Sequence, residues 1–273
     1  MRVLQLSADR STRGVLNQDS PAFKRQEAYA KQFGNLDIVA SSLKDEAQSV
    51  DARPLRIFPT DSVSKLLWGF DALRVASTLP KPDVVSVQDP FETGLIGWWI
   101  ARKYKVPLHV QVHTDFLSPE YARLSLLNRV RVFIARFVLR RAARIRVVSE
   151  RIKKEIERTY HARSLVTILP IFVDTERFKM ARSYLAIEER FSQFKAKVLV
   201  VSRLEPEKNI ALAIRAFQEA SPLGSCLIIV GDGSERKPLE RCVQKFNIAD
   251  RVFFEGEAEA ASYYTISDLV LVP

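Results

Sequence analysis

Arg203 and Lys208 stand in "VLVVSRLEPEKNIALAIRAF" (198–217), where an aliphatic run stops at Ser202 and a helical pattern resumes after a charged bend. Backbone N–H groups at a helix start are unsatisfied and the helix dipole is positive there, so such a bend favours phosphate. The two cations could grip two linked phosphates, Arg203 as a planar fork and Lys208 as a point charge. Charge-assisted hydrogen bonds of about 1.5–3 kcal/mol each would hold a nucleotide diphosphate. The plainer reading pairs both cations with Glu205 and Glu207 on a solvated loop.

Histidine is the next candidate chemistry. His109 and His113 share one face of a strand by period-two alternation, but no third ligand at metal spacing accompanies them, so no zinc site is expected. His113 closes its strand and is read either as a structural hydrogen-bonder or as a group that meets a ligand, and His161 reads as surface. The glycines of "GDGSER" (231–236) follow a strand and precede a helix, yet lack the third glycine of the dinucleotide fingerprint. The loop "SADRSTRG" (7–14) is not that fingerprint either, which disfavours a nicotinamide dehydrogenase.

These residues need strands to place them. Buried-strand patterns occur at 2–7, 36–42, 83–88, 108–114, 145–150, 166–170, 198–202, 226–231 and 251–256, with "DLVLVP" closing the series. Helical patterns at 90–105, 119–143, 208–220 and 235–246 lie between several of them. Alternation of this kind means βαβ units and parallel sheets. The strands are too many for one short sheet, so the expectation is an α/β protein with two Rossmann-like domains. The boundaries expected are a first domain over 1–175, a connector over 176–197 and a second domain over 198–273. In open α/β sheets ligands bind beyond the carboxyl ends of the strands. That rule selects Asp89 and Glu92, His113 and Asp115, Ser202 to Lys208, Gly231, and the turn Gly256, Glu257, Ala258.

A net charge of +10 points to a polyanionic partner, among nucleic acid, an acidic membrane face and phosphate-bearing small molecules. Two cysteines, Cys226 and Cys242, cannot staple a secreted framework and fit a reducing cytosol. The start of the chain is too short in its apolar part for a signal peptide. No apolar run reaches the roughly 18–20 residues of a membrane span. A cytoplasmic protein, free or peripheral on the inner face of the membrane, is the expectation.

"SRLEPEKN" (202–209) resembles the donor-phosphate motif of family 4 glycosyltransferases, the retaining enzymes with two facing Rossmann-like domains (the GT-B type). Further segments resemble the same family in the same order. They are 87–116 with its histidine loop, "VVSE" (147–150), "LPIFVDTERF" (169–178), 228–240 and 251–273. The resemblance implies that Arg203 and Lys208 hold the donor diphosphate and that His113 meets the donor sugar. It also implies that Gly231 and the Gly256–Ala258 turn lie near the nucleoside, and that Asp89, Glu92 and Asp115 belong to the acceptor side. Fixed cations would stabilise the leaving diphosphate as the glycosidic bond breaks. No Asp-x-Asp pair occurs of the kind that holds a metal–diphosphate in the other major glycosyltransferase fold, so neither metal nor other cofactor is expected.

The sequence also departs from that family. Its first loop holds only Gly14 where the family carries several glycines, and Ile171–Phe172 replaces the usual Asn-Gly. The chain reaches Pro273 where the family continues into a Glu-x7-Glu motif. On this reading the donor domain is incomplete, and poor folding beyond about residue 190 is expected.

Residues 121–148 hold eight arginines and no acid. Arg129, Arg136, Arg140 and Arg144 would line one face of helix 119–143, with Leu127, Val130, Ile134, Phe137 and Val138 on another. One reading docks this helix on anionic lipid; the other is a covering helix with a solvated arginine ridge. Nucleic acid lacks support, because no aromatic stacking platform or recognition motif accompanies the charge.

The function expected is transfer of a sugar from a nucleotide diphosphate sugar to a hydroxyl of a lipid-linked or polysaccharide acceptor, with retention. A non-catalytic binding or scaffolding chain is the alternative from another class. An inverting transferase or a nucleotide-sugar epimerase on a related fold is the third.

Overall fold

The protein is described from a computed structural model, over residues 1–8, 14–160, 165–171, 173, 175–180, 184–220 and 224–273. Two compact units emerge, Met1–Ile171 and Phe172–Pro273. Each is an α/β layer structure built on its own sheet.

The first unit opens with β1 (Arg2–Ser7), α1 (Pro21–Phe33) and β2 (Asn35–Ala40). Ser20 starts α1 by accepting a 3.0 Å hydrogen bond from the N–H of Phe23. An antiparallel pair, β3 (Val50–Ala52) and β4 (Leu55–Pro59), forms the edge, followed by α2 (Trp68–Thr78). The sequence reading has no strand at either place, because Pro54 and three charges interrupt the apolar run. Then come β5 (Val84–Val87), α3 (Glu92–Tyr104), β6 (Leu108–Val112), α4 (Pro119–Leu124) and α5 (Leu126–Leu139). Next are β7 (Arg144–Val147), α6 (Glu150–Tyr160) and β8 (Leu165–Ile168). The strand order is β3-β4-β2-β1-β5-β6-β7-β8, parallel apart from the β3–β4 hairpin. Leu4, Leu6, Val85, Val87, Val110 and Val147 face one core. Val3, Leu36, Ile38, Leu55 and Ile57 face the other, under α1. Burying each such side chain is worth about 1.5–3 kcal/mol.

Helix 119–143 is not continuous. Ser125 is extended (φ −163°), and its hydroxyl accepts from the N–H of Asn128 at 3.1 Å, so a second helix starts there. Two serine caps seven residues apart, Ser118 and Ser125, override the helical periodicity between them.

In the second unit α7 (Thr175–Lys179) and α8 (Leu185–Phe191) precede β9 (Ala196–Val201). A 3₁₀ turn at Pro206–Lys208 leads to α9 (Ile210–Ala220). Then follow β10 (Ser225–Val230), α10 (Arg236–Lys245), β11 (Val252–Gly256), α11 (Ala260–Ile266) and β12 (Leu269–Val270). The parallel order is β11-β10-β9-β12. All six residues of β10 are buried, between Ile214, Phe217 and Leu239 on one side and Phe191 and Tyr263 on the other. β9 and β10 carry a core on both faces, whereas β12 at the sheet edge is exposed, Leu269 at 54% and Val270 at 41%. Among the described residues no helix is long and apolar enough to cross a membrane.

Candidate active site

The residues expected on the donor side lie together at the carboxyl end of the second sheet. Beyond β9 the ladder continues through Ser202, whose N–H bonds the carbonyl of Val230 at 3.0 Å. Leu204 is fully buried and anchors the bend, donating to Asp232 O and accepting from the N–H of Glu235, both at 2.9 Å. Arg203 thus stands on a loop held on either side. Gly231 lies against it: a Cβ there would sit 1.9 Å from the carbonyl oxygen of Ser202, and φ is +132°. A Cβ on Gly233 would meet Leu204 O at 2.4 Å. Both glycines of "GDG" serve close backbone approach. Gly231 N–H also reaches Gly256 O at 2.7 Å, which brings the third strand end alongside.

The two cations have different surroundings. Arg203 pairs with Glu207 at 3.2 Å, both side chains well exposed, an arrangement worth little in water. Glu205 turns away and accepts from Ser234 Oγ at 2.8 Å. Lys208 ends the 3₁₀ turn, and among the described residues no acid stands within ion-pair distance of its ammonium. Asn209 (φ 48°) then redirects the chain so that α9 begins at Ile210, two residues later than the sequence pattern suggests. Glu257 and Ala258 are exposed beyond β11.

Arg236 is a cation the sequence reading passes over. It bridges Asp232 at 3.1 Å and Glu240 at 3.0 Å, and its guanidinium lies beside Gly256. The signal was present as acids four residues to either side of it on a helical pattern.

In the first unit His113 follows β6 at the open end of the sheet. Although its side chain is exposed, desolvation, then the charges of Arg146 and Arg25, lowers the pKa of its imidazole from the ordinary histidine value. The three acids named for the acceptor side all have partners. Asp89 accepts from the N–H of Phe91 at 2.8 Å at the start of α3, and burial pushes its carboxyl up. Glu92 pairs with Arg131 at 2.8 Å, and Asp115 with Arg151. His161 lies outside the described residues, as does Phe172.

The basic segment needs correction. α5 ends at Leu139, so Arg129 and Arg136 are helical and Arg140 caps the end, but Arg144 opens strand β7. Alternation along β7 puts Arg144 with Arg146, on the sheet face opposite Ile145 and Val147. Arg144 therefore does not extend the helical ridge. The apolar side also differs: Ala135, Val138 and Leu139 are buried, while Leu127 and Val130 are more than half exposed. Leu126 and Phe133 are 75% and 73% exposed, leaving a bare apolar patch among Arg123, Arg129 and Arg136.

The profile of Glycosyltransferase Family 4 matches residues 27–177, and that of Glycosyl transferases group 1 matches 187–273. The chain belongs to glycosyltransferase family 4. Alpha-monoglucosyldiacylglycerol synthase of Streptococcus pneumoniae is 27% identical to this family 4 chain over 207 residues, 69% of this chain and 46% of the relative. 2-Deoxystreptamine glucosyltransferase of Streptomyces kanamyceticus is 29% identical over 193 residues, 66% of this chain and 50% of the relative. The chain thus spans about half the length of these curated relatives. Among solved structures, sucrose-phosphate synthase of Thermosynechococcus elongatus superposes with a TM-score of 0.74 at 16% identity, covering all of this chain and 75% of that one. HepE of Anabaena, solved with UDP, gives 0.67 at 19% identity over 99% of this chain and 73% of that one. These likenesses establish the GT-B fold class.

Proposed function

We propose that this family 4 chain transfers a sugar, a hexosyl group, from a nucleotide diphosphate sugar to a hydroxyl of a lipid-linked or polysaccharide acceptor, with retention at the anomeric carbon. The observation that carries the reading is the pair Arg203 and Lys208 at the carboxyl end of the second sheet, just ahead of α9. Arg203 would fork the diphosphate and Lys208 would add a point charge, so both offset the negative charge that grows on the leaving nucleotide. The exposed Glu207 partner is readily exchanged for phosphate, a denser anion. Gly231 and the Gly256–Ala258 turn would border the nucleoside. A neutral His113 would hydrogen-bond the donor sugar without adding a cation. The chemistry as read asks for no metal, because the two cations take its place at the diphosphate.

The relatives' names support glucosyl donors and, in one case, a diacylglycerol-type acceptor. HepE's complex with UDP supports uridine as the base to try first. For location we infer a peripheral site on the inner face of the membrane, with Arg129, Arg136 and Arg140 meeting anionic lipid around the bare patch of α5. Calorimetric titration with UDP tests the donor assignment. Arg203→Ala and Lys208→Ala should each weaken binding about tenfold or more; affinity equal to that of the native chain would sink the site. A chain that binds UDP and never moves a sugar would be the scaffolding alternative.

A further inference from the structure

The sheet of the first unit is clothed unevenly. Helices α2, α3, α5 and α6 cover the face that carries Leu4, Val85, Val110 and Val147. On the other face α1 packs chiefly on β2 and β4, and the helices packed most extensively on β5, β6 and β7 are α3 and α6 of the first face. Parallel strands are normally aliphatic on both faces. Here the open half carries Ser86, His109, Gln111 and Arg146 in adjacent registers.

These side chains form one chain of hydrogen bonds. Arg146 Nη1 donates to Gln111 Oε1 at 2.8 Å, Gln111 Nε2 donates to Ser86 Oγ at 3.3 Å, and Ser86 Oγ meets His109 Nδ1 at 3.0 Å. Arg146 gives two more bonds to the carbonyl of Leu169, at 3.2 and 3.0 Å. Three of its five N–H donors are thereby used and two remain. Arg146 is half-buried, and among the described residues it has no carboxylate partner. A guanidinium so placed ordinarily faces an anion.

Two further observations point to the same crevice. Gln5, in register with Ser86, and Gln26, on the buried face of α1, are only 4% and 3% exposed. Gln5 Nε2 and Gln26 Oε1 nevertheless have no hydrogen-bond partner among the described residues, which costs about 1–3 kcal/mol apiece unless a ligand supplies one. Arg25, beside Gln26, is near enough to His113 for its charge to be felt there together with that of Arg146. Arg146, Gln111, Ser86 and His109 thus form one bonded chain without an acid, with the unsatisfied Gln5 in register beside Ser86, and the exposed Arg25 and His113 feel one another's charge nearby.

We propose that the crevice between α1 and the open strand face, with Arg146 and Arg25 as its cations, binds a phosphate group carried by the acceptor. This rests on the acceptor-side reading of the first unit. The phosphate could belong to a lipid headgroup or to a soluble phosphorylated sugar or polyol. The shared chemistry is a phosphate ester held by a forked guanidinium, with the amides of Gln5 and Gln26 on its ester or hydroxyl oxygens.

The test uses the full chain and the ring NMR signals of its histidines. Glycerol 3-phosphate is titrated as the soluble probe, vesicles of phosphatidylglycerol as the lipid probe, and glycerol as the uncharged control. Saturable shifts of the His109 and His113 rings with either phosphate probe, and none with glycerol, support the proposal; the responding probe identifies the source. Arg146→Gln should weaken the effect about tenfold and Arg25→Gln, at an exposed position, about threefold. Arg146→Lys, which keeps the charge and loses the fork, should fall between. UDP affinity should stay within about twofold in all three, so failure of UDP binding alone would fault the donor assignment and leave this site standing. No saturable shift with either probe, or equal affinity in Arg146→Gln and Arg25→Gln, would overturn it.

Discussion

The amide of Gly231 bonds the carbonyl of Gly256 at 2.7 Å while its α-carbon faces the carbonyl of Ser202 with no room for a methyl group. One residue thereby sets the spacing of the three strand ends beside Arg203. Gly231→Ala would force backbone apart at a φ of +132°, a conformation side chains rarely adopt. The expected outcome is a loss of about 2–4 kcal/mol from the second unit and a collapse of UDP affinity, read by urea unfolding and calorimetry. A variant as stable as the native chain would refute the packing argument.

On the proposed donor assignment Glu207 would compete with phosphate for Arg203. Its pairing at 3.2 Å is solvent-exposed and weak, but it would have to be given up for Arg203 to fork a diphosphate. Glu207→Gln should therefore tighten UDP binding two- to threefold, chiefly at low salt. Unchanged affinity at every ionic strength would mean that Arg203 does not meet the ligand.

Acid should weaken the first unit in a defined window. Burial and the Arg146 charge lower the pKa of His109, and His113 shifts the same way. Below the unfolded value of about 6.5 the unfolded chain takes up protons that the folded chain refuses, so stability falls with falling pH until the folded pKa is passed. Asp89 is raised instead, so its stabilising contribution is present at lower pH and lost as pH rises through its folded pKa. The melting temperature should drop between pH 7 and 5.5, and His109→Gln should flatten that slope. An equally steep slope in the variant would exclude His109 as a source.

The patch on α5 predicts a two-part membrane response. Replacing Leu126 and Phe133 by Ser should weaken binding to phosphatidylglycerol vesicles at all salt concentrations, since it removes apolar insertion. Replacing Arg129, Arg136 and Arg140 by Gln should weaken it mainly at low salt, by about 1 kcal/mol per charge. A native chain that never sediments with such vesicles would end the membrane reading.

Much of this was legible from residues alone. Short aliphatic, β-branched runs such as "VLVV" and "CLIIV" read as buried parallel strands, and they placed Arg203 and Gly231 at strand ends, where the structure has them. The break at Ser125 was not, because hydrophobic periodicity runs through it and only a serine cap marks the interruption. Arg144 was misplaced for the same reason: arginine spacing looks helical across the Arg140 cap, although the chain has already turned into β7. The polar strand face escaped notice too. Ser86, His109, Gln111 and Arg146 are spread over 60 positions, and only registration of three strands reveals them as neighbours.

The anchoring of Leu204 separates two kinds of change. Its buried side chain and two backbone hydrogen bonds fix the path of the bend whatever occupies the neighbouring position. Arg203 is mostly exposed and contributes nothing to that path. The bend behaves as a rigid mount with an exchangeable head, so position 203 can be rewritten at little risk to folding. Were the proposed diphosphate site correct, selection, natural or in the laboratory, would retune its anion preference while the scaffold beneath it stays constant.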